Sequence, residues 1–399
     1  ASWESGSPVA ERRLRVLSVF GTRPEAVKMA PVVRKLAETP GVDSRVCVTG
    51  QHREMLDQVL ELFAIRPDYD LNVMQPDQAL GPLTRSLLEA LEPVIESDRP
   101  DWILVQGDTS TVLAASLLAY FHHVRLGHVE AGLRTGDKWQ PFPEEIHRRI
   151  AGVVADLNFA ATEWAKGNLL REGVAEETIA VTGNPVIDAL QEIRRKPYDM
   201  SRGPLAGIDW TRRVLLVTVH RREHFGERLE GIFGALAELA RRRAGEVELV
   251  YPVHLNPNVR DPAHRILGGV ANIHLLEPLD YQPMVHALER AYLVLTDSGG
   301  IQEEAPALGT PVLVLRDVTE RPEAVEAGTA RLVGSDPERI LSETERLLDH
   351  PEEREAMARA SNPYGDGRAA SRIVAALLAR ASFDAPSTSL RPGLRTQRS

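Results

Sequence analysis

The 399-residue chain is 43% hydrophobic and 26% charged, with a formal net charge of -10: the composition of a packed globular protein long enough for two domains. An acidic balance argues against binding to nucleic acid or to an anionic membrane, since both need a basic face. No apolar stretch reaches the ~20 residues that span a bilayer, and residues 1–13 lack the apolar run of a secretory signal; the single cysteine, Cys47, has no partner for a disulfide or a cysteine metal site, which fits a reducing cytoplasm.

From Leu14 onward, short and continuously apolar runs alternate with segments of helical spacing. Strands covered on both faces of a parallel sheet require that pattern. The first half predicts strands over 15–20, 45–49, 102–106, 124–129, 157–160 and 179–182. Residues 194–211 break the rhythm with Pro197, Gly203, Pro204 and Gly207. The alternation restarts with strands over 214–219, 247–251, 272–275, 292–296, 312–315 and 330–333. The expected organisation is a first doubly wound α/β domain over 14–190, a linker over 191–212 and a second such domain over 213–365. A helix over 366–380 is expected to pack back on the first domain, with tails at 1–13 and 381–399.

In open parallel sheets a ligand sits beyond the carboxyl ends of the strands. Five polar segments fall there: Gly21-Thr22-Arg23-Pro24-Glu25, Gly107-Asp108-Thr109, Glu130-Ala131-Gly132, His220-Arg221-Arg222-Glu223 and Asp297-Ser298-Gly299-Gly300. The last follows a strand and opens a helix, so Ser298, Gly299 and Gly300 can bring backbone N–H groups to a diphosphate at the positive helix end. A tight turn capped by Asp297 or Ser298 is the competing account. Arg23 and Lys28 lie near the start of the first helix, where cations oppose the helix dipole and point to an anion close by. Arg321 repeats the pattern in the second half.

Among the carboxylates, Asp108 precedes Thr109 and Ser110 and reads as a helix N-cap, a role compatible with catalysis. Glu130 ends an apolar run beside two small residues, where a carboxylate has no evident structural task. Glu144 and Glu145 follow Pro143 at the start of a helix that carries Arg148 and Arg149 later, which also suits the helix dipole. His220 stands at the mouth of the first strand of the second domain, a place for phosphate contact or proton transfer. Carboxylates near a basic cradle point to proton transfer on a sugar, with a nucleotide diphosphate as leaving group. No G-x-G-x-x-G, Walker A lysine or Tyr-x-x-x-Lys occurs, which disfavours nicotinamide and ATP chemistry. No metal site or cofactor is called for by the motifs present.

Together these segments resemble the bacterial UDP-N-acetylglucosamine 2-epimerases of the non-hydrolysing type, over about residues 14–378. The resemblance rests on Phe20-Gly21-Thr22-Arg23-Pro24-Glu25-Ala26, Gly50-Gln51-His52-Arg53-Glu54-Met55, His128-Val129-Glu130-Ala131-Gly132-Leu133-Arg134, Asp297 through Glu304, and Glu320-Arg321-Pro322-Glu323-Ala324. It implies two Rossmann-like doubly wound parallel-sheet domains in a glycosyltransferase-B arrangement, a homodimer, and no redox cofactor. The implied reaction interconverts UDP-N-acetylglucosamine and UDP-N-acetylmannosamine by anti elimination of UDP to 2-acetamidoglucal and re-addition. Residue by residue, it implies Asp108, Glu130, Glu144 and His220 as the catalytic set. Arg23, Lys28, Arg134, Met284, Ser298, Gly299, Gly300, Glu304 and Arg321 become the substrate-binding set. Gln51, His52 and Arg53 match a site where some members bind a second substrate molecule as activator, although Glu54 and Asp77 depart from the residues of those members. A hydrolysing relative that releases UDP and N-acetylmannosamine, and a glycosyltransferase of the same architecture, stand as alternatives.

Overall fold

A computed structural model describes residues 12–50, 53–73 and 78–383. The strands of the first half are β1 Leu14–Phe20, β2 Val42–Val48, β3 Tyr69–Asp70, β4 Trp102–Gln106, β5 Arg125–Ala131, β6 Leu157–Ala160 and β7 Ile179–Val181. Helices α1 Arg23–Ala37, α2 Arg53–Leu62, α3 Leu80–Asp98, α4 Ser110–Phe121, α5 Glu144–Val154, α6 Glu163–Arg171 and α7 Pro185–Arg194 separate or follow them. The second half carries β8 Arg213–Thr218, β9 Val247–Pro252, β10 Ile273–Leu276, β11 Leu293–Thr296, β12 Val312–Val314 and β13 Ala330–Leu332. Its helices are α8 Glu227–Arg242, α9 Pro257–Leu267, α10 Tyr281–Arg290, α11 Gly299–Ala307, α12 Pro322–Glu326, α13 Pro337–Asp349 and α14 Pro351–Arg359, and α15 Ala369–Phe383 ends the described chain.

The first sheet runs β3-β2-β1-β4-β5-β6-β7 and the second β10-β9-β8-β11-β12-β13, with every pair parallel. The order reverses between β1 and β4 in one sheet and between β8 and β11 in the other. A crevice opens at such a reversal, because the two flanking connections leave to opposite faces. The loops after β1, β4, β8 and β11 are therefore placed at two ligand crevices by topology alone. All of β4, β9 and β11 and most of β1 and β8 is buried, which accounts for the unbroken apolar runs.

Several boundaries differ from the sequence reading. Strand β2 starts at Val42 rather than at 45, since its first half carries the polar residues Asp43, Ser44 and Arg45 yet pairs in register with β1. Strand β3 is two residues long and pairs only with β2, too short to leave a periodic signal. Helix α7 continues to Arg194, so residues 191–194 are helical rather than linker. Helix α15 begins at Ala369 and extends to Phe383, beyond the bounds of 366–380. It lies against α1 and α7 of the first domain, with Ile373, Val374 and Leu377 in one apolar cluster with Val33, Ile187 and Leu190. Asp188 on α7 accepts from the N–H groups of Ala369 and Ala370 at 3.0 Å each, capping α15 across that contact. No helix among the described residues is long and apolar enough to cross a membrane.

Candidate active site

The corner after β1 is built first. Thr22 caps α1, and the Glu25 carboxylate closes a capping box by accepting from Thr22 N at 2.6 Å and Gly21 N at 2.9 Å. Its other oxygen accepts from Thr109 Oγ1 at 2.6 Å, so a buried carboxylate joins the loops after β1 and β4 across the switch point. Thr109 is also the N-cap of α4, which corrects the reading of Asp108 as the cap. Asp108 is left with its side chain turned to Arg148, whose Nη2 lies 2.9 Å from Oδ2. Two buried imidazoles fix its backbone: His128 Nε2 donates to Gly107 O at 2.7 Å and His147 Nδ1 to Asp108 O at 3.0 Å. Burial pushes the Asp108 carboxyl up to about 6, helped by the charges of Glu130 and Glu144 and opposed by Arg148.

Glu130 reaches the site through a backbone irregularity. The register of β5 against β6 shifts between Val129 and Ala131, and Glu130 itself adopts φ +63°. A bulge of this kind turns one side chain out of the alternation, and a non-glycine residue held in the left-handed region marks a constrained position. The carboxylate accepts from Lys28 Nζ at 2.6 and 2.8 Å, from Asn184 Nδ2 at 3.2 Å, and from Gln106 Nε2. Burial raises its pKa, but Lys28, Arg321 and these donors outweigh desolvation and hold the carboxyl below its ordinary value. An anion beside Lys28 is thus Glu130, a group of the protein itself. Glu144 opens α5, and its buried Oε2 has no hydrogen-bond partner among the described residues. Glu145 instead faces inward and accepts from Thr135 N at 3.2 Å and Gly136 N at 3.3 Å, a structural duty.

The second wall comes from the other sheet. Asp297 does not cap α11; its Oδ2 accepts from His220 N at 2.8 Å and Arg221 N at 2.7 Å, tying the β8 and β11 loops together. Ser298 occupies the N-cap position with no side-chain bond to the helix, so the first-turn N–H groups of α11 remain for another acceptor. The competing reading of a side-chain-capped turn is overturned here. Arg321 lies over this helix end, close enough that a Cβ on Gly299 would stand 2.5 Å from its Nη1. Its Nε donates to Glu303 and its Nη1 to Glu320 at 3.1 Å. His220 is half-buried, its Nδ1 3.4 Å from Asp297 Oδ1 and its ring stacked on His254 with centroids 5.4 Å apart. Burial lowers its pKa, with Asp297 opposing and His254 and Arg221 adding to the shift, which favours the neutral ring.

Arg23 makes no hydrogen bond or ion pair among the described residues, but its charge acts on Glu304, so the two side chains are near each other. Gly300 sits one turn before Glu304, whose Oε1 would lie 3.7 Å from a Cβ there. Met284 is half-buried on α10 against the apolar cluster. Arg134 is engaged elsewhere: it donates to Glu172 at 2.8 and 2.9 Å and to Leu133 O at 2.7 Å, and the structure does not bring it to the carboxylates. Gln51 and His52 lie outside the described residues, as does the side chain of Arg53. Sequence reasoning missed Gln106, Asn184, Glu303 and Arg148 as members of the site. Gln106 interrupts an apolar run at the last residue of its strand, a signal that could have found it.

Burial, with Glu303 beside it, pushes the Glu304 carboxyl from an ordinary 4.5 up to about 7, against Lys28 and Arg23. A raised folded-state pKa means that the folded protein holds the extra proton between these values, so stability falls as pH rises from about 4.5 through 7. Glu304→Gln is expected to leave unfolding unchanged at pH 4 and to stabilise the ligand-free protein by ~1–3 kcal/mol at pH 8, after discounting for partial exposure. Urea melts at the two pH values test this, and an equal change at both would refute it.

Two parallel sheets present their carboxyl ends to a common cleft, one wall carrying carboxylates and the other an uncapped helix end under a guanidinium; this is the glycosyltransferase-B class of fold. A family model described as UDP-N-acetylglucosamine 2-epimerase matches residues 34–378, and the chain belongs to that family. It is 56% identical over 370 residues to the UDP-N-acetylglucosamine 2-epimerase of Escherichia coli K12, covering 91% of this chain and 98% of that one. The crystal structure of UDP-GlcNAc 2-epimerase from Neisseria meningitidis bound to UDP-GlcNAc superposes with a TM-score of 0.87 at 48% identity, covering 92% of this chain and all of the other. An S. aureus structure with UDP gives a TM-score of 0.85 at 45% identity over 92% of this chain and 97% of its own.

Proposed function

We propose that this protein catalyses the reversible C2 epimerisation of UDP-N-acetylglucosamine to UDP-N-acetylmannosamine, by anti elimination of UDP to bound 2-acetamidoglucal and re-addition. The observation that carries the reading is the opposition of Asp108, Glu130 and Glu144 on one wall to the α11 end and Arg321 on the other, close enough that Glu130 and Arg321 act on each other's ionisation. The α11 N–H groups, Arg321 and Arg23 receive the diphosphate and stabilise it as it departs. Glu304 accepts from the ribose hydroxyls. Asp108, with a pKa near neutrality, and Glu144, with a free buried oxygen, carry the C2 proton on and off. Glu130 stays ionised and sets a fixed negative charge against the cationic character that grows at C1 as UDP leaves. His220, neutral and held by Asp297, stands beside the phosphates.

The enzyme is proposed to act as a homodimer, with the exposed Tyr120, Phe121 and Val153 of α4 and α5 as apolar surface for a second copy. The Gln51-His52-Arg53 segment is proposed to receive a second UDP-N-acetylglucosamine as activator. Incubation with UDP-N-acetylglucosamine in D₂O without an acceptor tests the reaction by NMR. Deuterium at C2 of both sugar nucleotides is expected. Stoichiometric free UDP with N-acetylmannosamine would establish the hydrolysing alternative, and an unchanged C2 proton would sink both.

A further inference from the structure

The return of the chain to the first domain runs against the corner between β7 and α7. Gly183 and Gly365 meet there, a Cβ on Gly183 falling 3.3 Å from Gly365 Cα, and both residues have positive φ. Asn184, only 1% exposed, sits beside this crossing. Its N–H donates to Tyr364 O at 2.7 Å, and its Oδ1 accepts from Val186 N at 3.1 Å to cap α7. Serine, threonine or aspartate would cap a helix as well. What asparagine adds is the amide donor. That Nδ2 gives its hydrogens to two carboxylates from opposite domains, Glu303 Oε2 at 2.6 Å and Glu130 Oε1 at 3.2 Å.

Two carboxylates held by one small group repel unless each is neutralised, and each has its own cation: Lys28 on Glu130 and Arg321 on Glu303. The linking group must be an uncharged donor, since an aspartate would place a third negative charge between the first two. We infer that Asn184 is a positioning residue for the elimination step, its amide orienting the fixed charge of Glu130 on the sugar side through the docked Glu303–Arg321 pair on the diphosphate side. The inference rests on the epimerase reading above. A second polar bond between the domains, from Thr162 Oγ1 to Glu323 Oε1 at 2.7 Å, touches no group of the carboxylate wall and serves as the control.

The test uses the full chain with UDP-N-acetylglucosamine in D₂O, measuring kcat and KM for C2 exchange, UDP affinity by calorimetry, and thermal melting. Asn184→Asp and Asn184→Ser both retain a cap for α7 and lack the amide donor. Each is expected to lower kcat by about 10²-fold, the scale of a misplaced catalytic group, with KM and UDP affinity within about threefold of the unchanged protein. Thr162→Val is expected to lower the melting temperature while leaving kcat within about threefold. Asn184→Ser carries the test alone if the aspartate variant does not fold. Unchanged kcat in a folded Asn184 variant, or an equal loss in Thr162→Val, overturns the inference and leaves the reaction standing. Absence of C2 exchange in the unchanged protein overturns both.

Discussion

Asp108→Asn is expected to slow C2 exchange by ~10²–10⁴-fold, the range a positioned acid or base contributes. UDP affinity should stay within about threefold, since the loss falls on the transition state rather than on binding. The substitution keeps the side chain's shape and its place between Arg148 and the loop held by His128 and His147. A proton must leave one face of C2 and arrive at the other, so activity needs one carrier ionised and one protonated, and the pH profile of kcat/KM is expected to be bell-shaped. One limb should centre near pH 6, where burial places Asp108. That limb should be missing from the residual activity of Asp108→Asn. NMR exchange rates across pH 5 to 9, with calorimetric UDP titrations, check both parts; an unchanged profile would remove Asp108 from the chemistry.

Arg321→Ala should have the second large effect, in two separable ways. Glu303 is 1% exposed and would lose its guanidinium, and breaking a buried pair from one side costs ~3–5 kcal/mol. The diphosphate would lose its forked donor at the α11 end, so UDP affinity should fall by roughly 10²-fold. Combining Arg321→Met with Glu303→Gln removes both charges and is expected to restore most of the stability without restoring UDP binding. Recovery of UDP affinity in the double variant would show that Arg321 acts on the fold and not on the phosphates.

The legible parts of this molecule were those governed by periodicity. Continuous apolar runs at β1, β4, β8 and β11 marked buried parallel strands, and strand ends at a topological switch point are where polar loops gather, so five loops could be tied to a cleft from residue order alone. Illegible parts depended on one backbone angle or on partners far apart in sequence. Nothing in Val129-Glu130-Ala131 announces a bulge with φ +63°, though without it Glu130 would follow the strand's alternation. Lys28 signalled an anion correctly, but one-dimensional order could not say that the anion was Glu130, 102 residues away. Asp108 beside Thr109 shows the same limit: either could cap α4, and the choice was made by Glu25 drawing the Thr109 hydroxyl across the crevice. Asn184, between Gly183 and Pro185, carried a helix-cap signature so complete that its amide had no separate signal.

The position of α15 bears on how the protein is made. Its apolar residues complete the packing of α1 and α7, helices that leave the ribosome about 175 to 350 residues earlier. During synthesis the first domain must therefore wait, with that face bare, while the second domain is produced and can close its own core. The order of completion is the reverse of the order of translation. A truncation that removes α15 would strike the domain bearing Glu130 and Asp108 and spare the one bearing α11, so its loss should appear in the cell as aggregation of the amino-terminal half.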